Sequence, residues 1–263
     1  MKLKSDFDRV KSIVLAKPSN FNLKTIIDPI SYKYKSHPID RNLLIKNYEY
    51  LKDSLLSENI NVIELEGKYT YSVFTRDLGV LLNNDLFLVG NLKHNIRKPE
   101  VGEIITLLNN LKMNYIVINS NIFEGGNMII YNENTIILGV SERTDIDIVK
   151  ILEPYGEVLI VDLPKEFIHL DLAINFASRE IAIGYLDSIP LDVNYFRLDY
   201  DLWYRMIPNF LVIEDGKILA PEENRKYLKI LEKEGIDVIY TPFSEIMKGG
   251  GSIRCATLPI ERV

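Results

Sequence analysis

The sequence predicts an α/β fold, and more closely a five-bladed α/β propeller built from strand, strand, helix, strand units. The first observation is that short apolar runs rich in Ile, Val, Leu and Phe occur in pairs joined by tight turns, which is typical of β-hairpins. The second is that amphipathic stretches at helical spacing come after the hairpins. The third is that the hairpins begin about 38 to 49 residues apart, a period that suggests a closed radial array.

The elements of each unit can be read in chain order. Hairpins are predicted in "GVLLNNDLFLVG", "NMIIYNENTIILGV", "DLAINFASREIAIGY" and "NFLVIEDGKILAP". Helices are predicted over about 41–57 and in "PEVGEIITLLNNLK", "SERTDIDIVKILEPY" and "PEENRKYLKILEKEG", and single strands in "YIVIN", "EVLIVDL" and "DVIYTP". The first run "SIVLA" and the last run "ATLPI" are expected to pair and close the ring. A doubly wound sheet is the competing interpretation, but it expects one helix after each single strand.

Composition limits the class of protein and of partner. The 263 residues are 47% hydrophobic and 26% charged, so we expect one globular domain over residues 1–263. A net charge of −6 lacks the basic footprint of nucleic-acid binding, and no apolar run is long enough to cross a membrane. A single cysteine and a charged N-terminal segment predict a protein of the reducing cytoplasm. A small-molecule partner fits best, and a homo-oligomer stays open.

Residues 18–40 form a long stretch with little periodicity. The segment contains three prolines and connects the first predicted strand to the first long helix. Long loops in compact domains are often lids or binding loops, and the alternative is a plain surface excursion. The sequence leaves both interpretations open.

The starts of the predicted hairpins carry an unusual set of polar side chains. A radial array would bring Asp77, Glu124, His169, Asp171 and Cys255 together at one end of its axis. Taken singly, the cysteine would more often be a core residue and the aspartates turn residues. Several buried carboxylates aimed at one spot imply a cation. A guanidinium suits them better than a metal ion, since carboxylates match its planar N–H fork and a thiolate can attack its carbon.

Five ordered motifs carry a resemblance to a known group of enzymes. They are "FTRD", "FEGGN", "GVSERT", "HLDLAINF" and "GGGSIRCATLP", and they extend over nearly the whole chain. The chain resembles the guanidino-group-modifying enzymes, which include arginine deiminase, dimethylarginine dimethylaminohydrolase and the amidinotransferases. The resemblance implies a five-bladed propeller with a central site and neither a cofactor nor a metal.

The resemblance also implies a role for each site residue. Cys255 would be the nucleophile, His169 the general acid and base, and Glu124 the residue that orients the imidazole and binds guanidinium. The remaining residues would bind substrate: Asp77 and Asp171 the guanidinium nitrogens, Arg143 the α-carboxylate, and, by a position match only, Arg97 the same carboxylate. Asn127 replaces the aspartate usual in the family, which puts one supporting hydrogen bond in question.

The sequence favours one reaction and keeps three alternatives. We expect hydrolysis of arginine to citrulline and ammonia through a covalent thiouronium on Cys255, because "HLD" supplies a second carboxylate for an unsubstituted guanidinium. Dimethylarginine hydrolysis comes next, since the short chain is typical of those hydrolases. An amidinotransferase would use the same residues. A non-catalytic propeller that binds a partner would have no need of a thiol at the axis.

Overall fold

The computed structural model describes residues 2–263, which form a mixed α/β fold with five three-stranded sheets. The strands are β1 (Val10–Ala16), β2 (Asn61–Leu65), β3 (Gly79–Asn83), β4 (Leu86–Val89), β5 (Asn114–Val117), β6 (Met128–Asn132), β7 (Thr135–Val140), β8 (Glu157–Asp162), β9 (Ile174–Ser178), β10 (Ile181–Gly184), β11 (Asn194–Arg197), β12 (Leu211–Glu214), β13 (Lys217–Pro221), β14 (Asp237–Thr241) and β15 (Leu258–Arg262). The helices are α1 (Pro29–Lys33), α2 (Arg41–Ser57), α3 (Glu100–Asn110), α4 (Val149–Leu152), α5 (Leu170–Ala173), α6 (Arg225–Lys233) and α7 (Ser244–Met247).

All five sheets share one topology. The orders are β3-β4-β5, β6-β7-β8, β9-β10-β11, β12-β13-β14 and β15-β1-β2. In each, the central strand is antiparallel to one neighbour and parallel to the other. The fifth sheet contains both ends of the chain, with Val14 opposite Leu258 and Ile13 opposite Pro259. The prediction that the first and last apolar runs pair is therefore confirmed.

Helices connect the two parallel strands in four of the units. The longest, α2, begins after Asp40, whose carboxylate accepts hydrogen bonds from two backbone N–H groups of the first turn. Its buried positions include Leu44, Leu51 and Leu55, which recur at helical spacing along one face. The prediction of a helix over 41–57 is confirmed. In the remaining unit, β9-β10-β11, strands β10 and β11 are joined by residues 185–193 without a helix.

The predicted helix in residues 141–155 is much shorter than expected. Only Val149–Leu152 is α-helical, between short 3₁₀ turns at Ile146–Ile148 and Glu153–Tyr155. Ser141 and Thr144 bond each other's backbone in a tight turn, which prevents a helix from starting there. Pro154 has no N–H to continue the ladder, so the helix also ends early.

Burial falls from the first strand of each sheet to the third. The first strands are buried along most of their length, as in β3, whereas the third strands are largely half-buried or exposed, as in β5. Helices α2 and α6 pack their apolar faces into the largest apolar cluster and α3 into a separate one. None of the helices within residues 2–263 has the length and apolar character that crossing a bilayer requires.

Candidate active site

A polar residue stands just ahead of the first strand of every sheet. These residues are Asp77, Glu124, Asp171, Asn209 and Cys255, which precede β3, β6, β9, β12 and β15 by two to four residues. Short helical turns present three of them, at Thr75–Leu78, Gly125–Asn127 and α5. The contacts described next show that the side chains meet, as the sequence predicts.

Cys255 lies buried next to a carboxylate. Its Sγ is 3.9 Å from Oδ1 of Asp171, and the backbone N–H of Cys255 donates to Oδ1 of Asn209 at 3.1 Å. Burial raises the pKa of the thiol well above its usual value, and the negative charges of Asp171 and Asp77 raise it further. The unliganded site therefore favours a neutral thiol.

His169 bridges two carboxylates. Its Nε2 is 2.7 Å from Oε2 of Glu124, and its Nδ1 is 3.5 Å from Oδ1 of Asp77. Burial alone would lower the pKa of His169, but the charge of Asp77 and the hydrogen bond to Glu124 raise it above the usual value. Burial alone would raise the pKa of Glu124, but the hydrogen bond from His169 and the charge of Arg143 hold it well below its usual range. Both shifts favour an ion pair of imidazolium and carboxylate.

Arg143 connects this pair to the 18–40 segment. Its Nη1 donates to Oε2 of Glu124 at 3.0 Å, and its Nη2 donates to the backbone carbonyl of Ile27 at 2.6 Å. The side chain is buried, as is that of Glu124. A residue that the sequence assigns to substrate binding thus also orients Glu124.

Each guanidinium nitrogen of Arg97 has a protein acceptor. Its Nη1 donates to Oδ2 of Asp77, its Nη2 to Oε2 of Glu100 at 2.8 Å and to the carbonyl of Phe74 at 3.0 Å, and its Nε to the same carboxylate of Glu100. Arg97 therefore anchors Asp77 in this structure. Its predicted contact with a substrate carboxylate would require some of these bonds to open.

Asp171 lies in a less balanced environment than the other carboxylates. Among residues 2–263 its Oδ2 has no hydrogen-bond partner, and it lies 3.5 Å from Nε of Arg254. Burial raises the pKa of Asp171 to about 6, although Arg254 and His169 both act to lower it. A cation bound beside this carboxylate would restore its ordinary ionisation.

The residues around Cys255 line a small cavity together with part of the 18–40 segment. The cavity of about 20 Å³ has room for about one water molecule. Ile27 and Asp28 of the segment line it together with the three glycines 249–251. Gly250 has a φ of +88°, and a Cβ there would lie 2.1 Å from Oδ1 of Asp28. The glycines therefore make room for the segment that covers the site, and this segment is more than a surface excursion.

Two buried asparagines support the site, and the sequence analysis gave neither a catalytic role. Asn209 accepts from the N–H groups of Ser252 and Cys255 and donates to the carbonyl of Asp171. The position of Asn209 at the start of a predicted hairpin is the sequence signal that could have indicated this supporting role. Asn127 accepts a hydrogen bond from Leu170 N–H and donates to Thr144 and to the carbonyl of Ile168. An ionised aspartate could accept the first of these bonds but could not donate the other two, so the asparagine keeps the supporting contact.

Asp77, Glu124 and His169 could also hold a metal ion, since their ligand atoms lie within 4.8 Å of one another. Each carboxylate, however, already pairs with a buried arginine, Arg97 or Arg143. A divalent cation would meet two guanidinium charges at this position, so the donor set does not fit a metal well.

Models of two enzyme families match successive parts of the chain. The model described as "N,N dimethylarginine dimethylhydrolase, eukaryotic" matches residues 17–197, and the model described as "Arginine deiminase" matches residues 202–262. The chain belongs to the guanidino-group-modifying enzyme superfamily. The motifs quoted from the sequence lie within these two ranges.

Relatives of known sequence extend this membership. An uncharacterized protein of Bacillus subtilis, YkgA, is 28% identical over 98% of this chain and 94% of its own length. The arginine deiminase of Mycoplasma capricolum is 23% identical over 53% of this chain and 47% of its own length. The chain thus aligns with about half of the length of the arginine deiminases that it matches.

Solved structures share the fold. The substrate-bound N-terminal domain of ArgZ, an arginine dihydrolase from cyanobacteria, superposes with a TM-score of 0.83 at 18% identity, over 95% of this chain and 98% of that one. A dimethylarginine dimethylaminohydrolase adduct with S-methyl-L-thiocitrulline gives 0.78 at 16% identity, over 95% and 99%. AgrE with ornithine and NAD+ gives 0.85 at 19% identity, but the match covers only 40% of that chain.

Proposed function

We propose that this protein hydrolyses a guanidino compound, and that the compound is arginine, which yields citrulline and ammonia. The observation that carries the proposal is the placement of the Cys255 thiol beside the Asp171 carboxylate, with the carboxylates of Asp77 and Glu124 close by around His169. An unsubstituted guanidinium has N–H groups for carboxylates on both sides. Membership in the superfamily supports the same chemistry.

The proposed reaction assigns one step to each group. As the guanidinium binds, Cys255 loses its proton to solvent. The thiolate Sγ then attacks the guanidinium carbon, and ammonia leaves with a proton from His169, so a thiouronium remains on the sulfur. Water, deprotonated by His169, then attacks the same carbon and releases the ureido product and the thiol. Asp77, Asp171 and Glu124 hold the guanidinium plane throughout.

Substrate binding converts the Cys255 thiol into the thiolate nucleophile in this proposal. Two carboxylates raise the pKa of Cys255 in the free site. A bound guanidinium neutralises their field and therefore lowers the pKa of the thiol where its carbon is to be attacked. The thiolate forms when the substrate is present, which limits side reactions of the free enzyme.

The 18–40 segment acts as a lid in this proposal. A cavity with room for one water cannot contain an arginine molecule, so the segment opens for binding. Opening removes the carbonyl of Ile27 from Nη2 of Arg143, which is then free to bind an α-carboxylate. Ile27 and Asp28 close over the bound substrate.

We also infer that the five sheets are the blades of a propeller that forms one catalytic domain. The pairing of β1 with β15, the falling burial from first to third strands and the meeting of five strand starts all support a radial arrangement. The site then lies at one end of the axis.

Dimethylarginine hydrolysis is the second candidate. The dimethylarginine hydrolase model matches the longer part of the chain, residues 17–197. Against it, a dimethylated nitrogen has no N–H to donate, and a carboxylate facing it would lose its partner.

One assay separates these reactions. The protein is incubated with arginine, agmatine and asymmetric dimethylarginine, and ammonia, dimethylamine and ureido product are measured, with Cys255→Ser as the inactive control. Ammonia and citrulline from arginine are expected. Dimethylamine from the methylated substrate alone would replace the first candidate with the second. Product that forms only with an added amine would indicate transfer instead of hydrolysis.

A further inference from the structure

Behind the active site lies a buried cation that the proposed reaction does not use. Arg76 precedes Asp77 in the "FTRD" motif and is 2% exposed. Its Nε and Nη2 are buried and have no hydrogen-bond partner among residues 2–263. Its backbone N–H bonds the carbonyl of Cys255, which fixes the residue directly beside the catalytic loop. Buried guanidinium groups without acceptors are rare, because each unpaired donor is unfavourable.

Two more buried arginines lie in the same region. Nη2 of Arg254 donates to Oδ2 of Asp6 at 2.8 Å, and Nη2 of Arg262 lies 3.5 Å from Oδ1 of the same carboxylate. Nη1 of Arg254 and Nη2 of Arg262 have no hydrogen-bond partner among the described residues. We call Arg76, Arg254 and Arg262 the arginine cluster.

The charges of the arginine cluster do not balance. Three guanidinium groups face the buried carboxylates of Asp6 and Asp171, and the nearby Asp8 is turned toward the exposed Arg179. Burial and the charge of Arg254 lower the pKa of Arg76 to about 9, and burial lowers that of Arg262 to about 10. Since arginine stays protonated at neutral pH, the region carries an excess of positive charge in a medium that stabilises it poorly.

We propose that the arginine cluster binds a small monovalent inorganic anion of the halide class, with chloride as the natural occupant. Water alone would satisfy the free N–H groups but would leave the excess charge, whereas one halide does both. The buried setting favours a small ion that fits between side chains. The arginine cluster borders the proposed substrate-binding carboxylate of Asp171 through Arg254, but anion binding there does not depend on the proposed function.

Anion-dependent stability and bromide crystallography test the proposal. Thermal unfolding is measured in sodium chloride, sodium bromide and sodium gluconate at equal ionic strength, since gluconate is a large organic anion outside the halide class. We expect a Tm several degrees higher in the two halides, rising to saturation with halide concentration. Arg76→Met should lose this dependence, whereas Arg179→Met, which changes an exposed arginine paired with Asp215, should retain it.

Crystals of the unmodified protein grown in bromide keep the test valid should Arg76→Met not fold. An anomalous bromide peak within hydrogen-bond distance of Arg76 supports the proposal. Only water at this position, or equal Tm values in halide and gluconate, overturns it.

Discussion

Cys255 shows how strongly one side chain depends on its neighbours. The thiol is the only one in the chain, so its titration can be followed without interference. Its pKa is raised by burial and by the charges of Asp171 and Asp77, and these charges suit a guanidinium better than a thiolate. The residue that would attack the substrate is therefore held inactive by the residues that would bind it.

This balance predicts the effect of Asp171→Asn. Loss of the nearest negative charge should lower the pKa of Cys255, while turnover of arginine falls because the guanidinium loses a carboxylate partner. Thiolate absorbance as a function of pH gives the first quantity and ammonia release the second, with Cys255→Ser as the blank. Asp187→Asn is the matched control, since that carboxylate is 86% exposed. An unchanged or higher thiol pKa in Asp171→Asn would contradict the proposed electrostatics.

Arg143 carries two separable duties in the proposal. Arg143→Ala should raise KM for arginine roughly 10- to 100-fold, because one charged hydrogen-bonded contact with the substrate is lost. The KM for agmatine should rise far less, because agmatine lacks the α-carboxylate. Turnover of both substrates should also fall, because Glu124 loses its hydrogen bonds from Arg143. Steady-state kinetics with the two substrates measure this difference. Equal changes in KM would remove Arg143 from carboxylate binding.

At this scale the sequence predicts charged residues better than amides. Cys255, His169 and the carboxylates stand in motifs whose chemistry is visible, and the structure brings them into contact. Asn209 bears no charge, so its control of the Cys255 loop becomes visible only through its three hydrogen bonds. The partners of Arg97 were equally hidden, because ion-pair choice follows from side-chain geometry.

Among the elements, the 18–40 segment, the proposed lid, is attached to the rest of the protein by contacts at both α1 and Thr25. Lys33 at the end of α1 places Nζ 3.9 Å from the ring centre of Tyr204 and 5.3 Å from that of Trp203. The hydroxyl of Tyr71 donates to the carbonyl of Thr25 on the opposite side. Cation–π contacts of this kind contribute about 0.5 to 1 kcal/mol each at exposed sites, so the closed state can open without unfolding.

Trp203 provides a direct probe of the lid, because the chain has one tryptophan. Its emission should change when a guanidino ligand opens and recloses the segment, and Lys33→Gln should reduce the difference between free and bound protein. Lys35→Gln is the matched control, since Lys35 contacts Tyr32 within the segment itself. The lid assignment fails if ligand binding leaves the emission unchanged in wild type, or if both variants behave alike.

Periodicity predicted the long elements and failed at the short ones. Helix α2 has enough turns for its apolar face to be recognised in the sequence. Helix α4 has only four residues, and the hydrogen bond from the Arg143 N–H to Ser141 Oγ forms a turn where the predicted helix was expected to begin. Strand β11 was not predicted either. It is a half-buried edge strand of four residues with too few apolar positions to give a pattern.

For the whole molecule, the N-terminal segment ties separate sheets together. Lys4 N–H donates to the carbonyl of Leu82 in β3, and Asp6 N–H to that of Ile130 in β6. The Asp6 side chain then contacts Arg254, which lies just before β15, and Arg262, which is the last residue of β15. The apolar pattern of the two chain ends predicts the pairing of β1 with β15. It does not predict this buried ion network, because the paired side chains are far apart in the sequence and form no pattern.

The network predicts how stability depends on pH. Burial alone would raise the pKa of Asp6, but Arg254 and Arg262 lower it to about 2, from 3.8 for an unperturbed carboxyl group. Because the folded-state pKa lies below the unfolded one, the ionised Asp6 stabilises the fold above about pH 4, and this stabilisation is lost as the pH falls through about 2. Asp6→Asn should thus lower the free energy of unfolding by about 3 kcal/mol at neutral pH.

The difference between wild type and Asp6→Asn should then shrink as the pH falls from about 4 to about 2, since below about pH 2 both proteins are uncharged at this position. Urea unfolding over a pH series measures it. Asp187→Asn, at an exposed ion pair with Arg197, should change the free energy of unfolding by no more than about 1 kcal/mol. A difference for Asp6→Asn that is the same at neutral and acid pH would mean that the carboxylate acts through its shape and hydrogen bonds and not through its charge, and the arginine cluster would then owe its position to packing.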